Sequence, residues 1–137
     1  KISQLGMVSA EYERINYGRI RLEEKNQDVS LSAANDSIEQ NYGIANNLRF
    51  GGELKLNSFY FRLGYAFYQS PYSDKIGKYE TNRQSFSGGI GYREQSFYID
   101  AAFVSSSYTR KTYLFPPHLS NIDFNDSRIL LSIGLRF

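Results

Sequence analysis

The sequence predicts an all-β chain, a segment of antiparallel transmembrane β-barrel, and three observations predict it. From Ser127 to the end of the chain, the odd positions Ile129, Leu131, Ile133, Leu135 and Phe137 form one apolar face. Arg128, Ser132, Gly134 and Arg136 fall on the other with Leu130. Five more stretches carry the same two-faced alternation. The connections between them run long, short, long, short, long, as in outer-membrane barrels, which have brief turns on one side and long loops on the other.

The first stretch, about 5–17, sets Gly6, Val8, Ala10 and Tyr12 against Met7, Ser9, Glu11 and Glu13. Gly18 to Gly43 is polar, and its pieces Arg19 to Leu22 and Val29 to Ala33 are expected to pair as a hairpin. In 47–56, Leu48, Phe50, Gly52, Leu54 and Leu56 oppose Asn47, Arg49, Gly51, Glu53 and Lys55. Asn57 and Ser58 read as a two-residue turn pairing Leu56 with Phe59, which puts both apolar faces on one side. Strand 59–68 then shows Phe59, Phe61, Leu63, Tyr65 and Phe67 opposite Tyr60, Arg62, Gly64, Ala66 and Tyr68.

A second loop covers Gln69 to Asn82. In 83–93, Phe86, Gly88, Ile90 and Tyr92 alternate with Arg83, Ser85, Ser87, Gly89, Gly91 and Arg93. A reversal at Glu94 and Gln95 is expected to pair Arg93 with Ser96 and to set Tyr92 nearly opposite Phe97. Strand 96–108 sets Phe97, Ile99, Ala101 and Phe103 against Tyr98, Asp100, Ala102 and Val104, and a third loop is expected over about Thr112 to Asp126. The last strand is 127–137.

Composition narrows the functional classes. No apolar run approaches the roughly 18 residues of a spanning helix, which leaves barrel strands as the route into a membrane. With no cysteine there is neither a disulfide scaffold nor a thiolate metal site. The balance of 16 basic and 14 acidic residues gives no nucleic-acid footprint. The chain begins at Lys1 without a signal peptide, so a processed chain or an excerpt of a longer protein is expected.

A soluble sheet protein is the competing reading, and three features weigh against it. The polar faces are rich in charge and glycine, as a wet interior is. Phe59, Phe67, Tyr92, Phe97 and Phe137 stand toward strand ends on the apolar face, where interfacial girdles belong. Phe59 to Phe67 spans about 20 Å after a tilt of about 40°, near the apolar band of roughly 25 Å. Six strands are too few to close a single-chain barrel, whose minimum is about eight. Hidden strands in Gly18 to Gly43, assembly of copies, or membership of a larger barrel would answer this, and the last is preferred.

Several local patterns, taken in order, carry a family resemblance: Glu11-Tyr12-Glu13; Asn47-Leu48-Arg49-Phe50-Gly51-Gly52-Glu53; Arg62-Leu63-Gly64-Tyr65-Ala66 followed by Ser70-Pro71-Tyr72; Gly88-Gly89-Ile90-Gly91-Tyr92-Arg93; Phe97-Tyr98-Ile99-Asp100-Ala101-Ala102; and Ile133-Gly134-Leu135-Arg136-Phe137. Outside the loops, the chain resembles the C-terminal part of the FadL/TodX-type outer-membrane transport family. The resemblance implies the last six strands of a barrel of about 14, within the even-numbered range of bacterial barrels, with an N-terminal hatch lying outside this chain. It also implies residence in the outer membrane of a Gram-negative bacterium and passive uptake of long-chain fatty acids or other hydrophobic compounds. The partners are then the lipid bilayer, a hydrophobic small-molecule ligand, and the barrel assembly machinery, which would engage the strand ending in Phe137. No ligand residue carries over from the family. The alternative is an interaction barrel, a secretion shuttle or adhesin that binds a protein through its long loops.

The alternation itself selects the interior candidates: Arg49, Glu53, Arg62, Arg83, Asp100 and Arg128, with Tyr60 and Tyr98. An arginine there has the planar fork that suits a substrate carboxylate. Charges that pair across strands and fill the interior are the more common use of such residues. The chain is not read as an enzyme and no cofactor is called for. The single histidine, His118, stands beside Pro116 and Pro117 without a positioned partner, and Asp74, Asp123, Asp126 and Glu23 lack the spacing of a calcium loop. Gly88 to Gly91 is followed by no helix, which excludes a phosphate loop; close packing against a plug is the expected reason for its glycines.

Overall fold

Six strands follow one another in space in the order in which they occur in the chain. The computed structural model describes residues 5–23, 30–73, 82–115 and 118–135. Within these lie β1 (Gly6–Asn16), α1 (Ser32–Asn41), β2 (Ile44–Leu56), β3 (Phe59–Tyr68), β4 (Arg83–Arg93), β5 (Phe97–Phe115) and β6 (His118–Leu135). The strands form one antiparallel sheet of order β1-β2-β3-β4-β5-β6. β1 and β6 are its two edges. No helix among the described residues is long and apolar enough to cross a membrane.

Register preserves the two faces throughout. One row across the sheet reads Leu54, Phe61, Ile90, Ala101 and Leu131, and the neighbouring row on the opposite face reads Glu53, Arg62, Gly89, Ala102 and Leu130. Because side chains alternate with period two, like-faced residues meet in every ladder. No second layer covers the apolar face among the described residues: the only buried hydrophobic residue among them, Ala45, falls on the polar face by parity, while Leu63 is 75% and Ile129 77% exposed on the apolar one. A layered soluble domain would bury such residues in a core. The two-sheet sandwich is therefore not what these residues build.

The β2–β3 turn has the expected register, Leu56 opposite Phe59, with Asn57 at φ 53°. Asparagine is among the few non-glycine residues that tolerate this left-handed region, which two-residue hairpins require.

Three expectations are corrected. Arg19 to Leu22 and Ala33 form no hairpin. Tyr17–Arg19 is a 3-10 turn and α1 occupies Ser32–Asn41, which contains no β-branched run and ties Ser37 Oγ to the Ala33 carbonyl at 2.8 Å. Val29 lies outside the described residues. The reversal after β4 pairs Arg93 with Tyr98 and Tyr92 with Ile99, two residues beyond the expected register, and the Glu94 N–H donates to the Phe97 carbonyl at 2.9 Å. A shift of two leaves every face unchanged. The expected loop over Thr112 to Asp126 is instead the continuation of β5 and β6, paired past Tyr113 and Leu119, with an irregularity between Tyr113 and Phe115. Serines at 105–107 on both faces conceal the alternation there. Cross-strand contacts continue nonetheless, with Tyr108 stacked on Phe124 at 4.8 Å and Thr109 donating to Asp123 at 2.7 Å.

His118 accordingly opens a strand. Asp74, Pro116, Pro117, Arg136 and Phe137 lie outside the described residues.

Replacing Asn57 by glycine is expected to leave stability unchanged. Asn57→Val should cost about 1–2 kcal/mol, because a β-branched residue is forced to positive φ. Urea titration of the two refolded variants checks this; equal midpoints would mean that the turn does not demand that conformation.

Candidate functional site

The polar face carries two arginine-centred clusters, and β-pairing positions both. In the first, Arg62 on β3 lies directly opposite Glu53 on β2, and its Nε donates to Glu53 Oε2 at 2.7 Å. Its Nη1 reaches past β4 to Asp100 Oδ1 on β5, also at 2.7 Å. That reach is open because the β4 residues in its way are Gly89 and Gly91. A Cβ on Gly91 would collide with the Asp100 carboxylate. The ring of Tyr60 gathers the neighbouring cations, with Arg93, Lys55 and Arg62 at 4.5, 5.5 and 5.8 Å from its centroid. Arg93 also approaches Asp100 at 3.8 Å.

In the second cluster, Arg49 on β2 donates from Nη1 to Glu11, from Nη2 to Glu13 at 2.9 Å, and from Nε to the Tyr68 hydroxyl at 3.2 Å. Glu13 also accepts from the amide of buried Asn47 at 3.0 Å. Both guanidinium forks are thus occupied by the chain's own carboxylates. That arrangement fills and orients a polar surface.

Arg83 differs. Its Nη2 donates to Ser106 Oγ at 3.3 Å, Ser106 shares a 2.7 Å hydrogen bond with Ser85, and no carboxylate among the described residues pairs with it. Tyr68 and Tyr108 stand opposite it on either side. Arg128 pairs with Asp126 of its own strand at 2.7 Å and is largely exposed. Tyr98 lies across Gly134, where any side chain would overlap its ring. The eight candidates therefore occupy one face of the sheet without converging on one point. Glu53, Arg62, Asp100 and Tyr60 come together, Arg49 joins Glu11 and Glu13, and Arg83, Arg128 and Tyr98 stand apart. Among the described residues no group of three or more ligating His, Asp or Glu side chains converges.

Two features were not read from the sequence. The β4 glycines make room for a lateral ion pair, a role visible only once Asp100 is placed opposite Gly91. The first two long connections are also clasped together. Tyr42 bridges Tyr72 with rings stacked at 5.2 Å, the Gly43 N–H donates to the Pro71 carbonyl, and the Ser73 N–H donates to that of Asn41, each at 2.9 Å. No local sequence pattern announces such a pairing between loops.

The Arg62–Asp100 interaction is expected to show a coupling of about 1 kcal/mol in an Arg62→Met, Asp100→Leu double-mutant cycle, against a few tenths for Arg128 with Asp126. Additive effects at the first pair would mean that its partners act independently. Comparison of the chain with protein-family models, with curated proteins and with solved structures returns no match.

Proposed function

We propose that this chain contributes six strands to an outer-membrane β-barrel that passes hydrophobic small molecules, such as long-chain fatty acids, by passive diffusion. The observation that carries the membrane reading is the single-layer sheet, whose large apolar side chains stand exposed across all six strands while its ion pairs lie on the other face. Water would oppose that arrangement and lipid favours it. Each open edge would leave backbone groups unsatisfied in hydrocarbon, which supports closure by further strands. The substrate class comes from the family resemblance alone.

In this reading, Arg49 and Arg62 line the passage, and Arg83 is the arginine that meets a ligand carboxylate. An interaction barrel is the second reading, supported by the clasped connections and by the β5–β6 ribbon that extends beyond β4. Deleting 18–43 should abolish capture of a partner protein if that reading holds, and leave solute uptake as it was.

The native chain has no cysteine, so single cysteines report their surroundings cleanly. In vesicles, Leu63→Cys, Phe103→Cys and Ile133→Cys should resist a water-soluble maleimide while Ser87→Cys reacts. Equal reaction at all four would remove the membrane reading. Arg83→Gln should slow uptake of a fatty acid severalfold and spare the corresponding alcohol; equal effects on both would take the carboxylate role from Arg83.

A further inference from the structure

The apolar area of the sheet does not follow the rows of its hydrogen-bonded ladders. With the Asn57-Ser58 turn at the bottom, three successive rows of the apolar face can be followed from β2 to β6. The top row reads Leu48, Phe67, Gln84, Ser107, Asn125, the next Phe50, Tyr65, Phe86, Ser105, Ser127, and the third Gly52, Leu63, Gly88, Phe103, Ile129. Apolar and aromatic side chains stop at β3 in the first row and at β4 in the second, and reach β6 in the third. The lower limit moves the same way. It stands at Leu56, Phe59 and Tyr92 on β2 to β4, and a further row down, at Phe97 and Leu135, on β5 and β6. The apolar area is therefore a slanted band.

Its slope has a size. The upper edge falls by four residues, about 13 Å, from Leu48 on β2 to Ile129 on β6, four strand spacings or about 19 Å away. The angle is about 35°, within the tilt that barrel strands adopt in a membrane. Tyrosine hydroxyls leave the band in opposite directions at its two edges. Tyr12, opposite Leu48 at the top, donates upward to Asn46 Oδ1 at 2.8 Å, and Asn46 Nδ2 donates to Gln69 Oε1 of the same rim at 2.8 Å. Tyr92, at the bottom, donates downward to Glu94 Oε1 at 2.8 Å.

We infer that this band is the seat of a phospholipid bilayer, whose upper hydrocarbon boundary crosses the sheet obliquely from Leu48 on β2 to Ile129 on β6. The inference rests on the membrane reading above and adds the depth of each strand to it. Two observations select lipid over a covering protein layer. A flat slab requires both edges of the apolar area to shift in the same direction from strand to strand, whereas a protein partner sets its own outline. Water on both sides of the slab draws the tyrosine hydroxyls outward at each edge, as in interfacial girdles. Leu48 to Leu56 then spans about 22 Å along the membrane normal, near the apolar band of roughly 25 Å. On β5, residues 105–115 stand above the boundary and carry the β5–β6 ribbon about 27 Å into water.

Residues of one row therefore lie at different depths. Single cysteines at Phe50 and Ser127, which share a row, and at Leu56 and Ile133, which share another, test this in the full chain. All four side chains are exposed, so labels there leave the sheet undisturbed. In phosphatidylcholine vesicles with brominated acyl chains, a fluorescent label on Phe50→Cys should be quenched severalfold more than one on Ser127→Cys, and iodide in the water should reverse the order. At the lower edge Ile133→Cys should be the more bromine-quenched and Leu56→Cys the less. Equal or reversed quenching within both pairs overturns the oblique seat and leaves the membrane reading standing. Labels at Phe50 and Ile133 that neither bromine nor iodide reaches would assign the band to a protein partner and overturn the inference. Iodide quenching at all four, with none by bromine, overturns the membrane reading and the inference together.

Discussion

Parity held through five antiparallel ladders is the constraint from which the other features follow. Each ladder pairs like-faced residues, so a slip of one position anywhere would send charged side chains of one strand among the leucines and phenylalanines of the next. The turns comply with it in different ways. Asn57 and Ser58 reverse the chain in two residues, while the turn after Arg93 takes four, and both leave the faces aligned. A sheet built in this way has two surfaces of opposite chemistry and no interior between them.

The two surfaces are stabilised differently. On the polar one, arginines are neutralised locally, and the geometry depends on what is absent as much as on what is present: Arg62 reaches Asp100 because Gly89 and Gly91 leave the space above β4 open. On the apolar one, the described residues supply no covering layer. Lipid would supply it, and would also require the edges at β1 and β6 to find strand partners. The proposal of a larger barrel wall joins those two requirements.

Within that proposal, the arginines divide by function. Arg49 and Arg62 are spent on the chain's own carboxylates, while Arg83 sits among hydroxyls and tyrosines. The outward face divides as well, into an apolar expanse and a row of amides and hydroxyls at its upper margin.

Strand identity, facing and the Leu56–Phe59 register were legible in the sequence, because period-two alternation and the Asn57-Ser58 turn are local signals that neighbouring residues carry by themselves. Where both faces turn polar, as at Ser105 to Ser107, the signal vanishes, and the length of the β5–β6 hairpin was settled only by cross-strand pairs such as Tyr108 with Phe124. The interior candidates could be chosen by parity, but their partners could not: whether Arg62 meets Asp100 depends on residues far apart in the chain and on two glycines of an intervening strand. Helix α1 escaped for a related reason. Its polar, weakly patterned residues lack a buried face to declare their period, and its place beside Arg21 and Leu22 is held by tertiary contacts, Arg21 with Glu39 and the Asn35 amide with the Leu22 backbone.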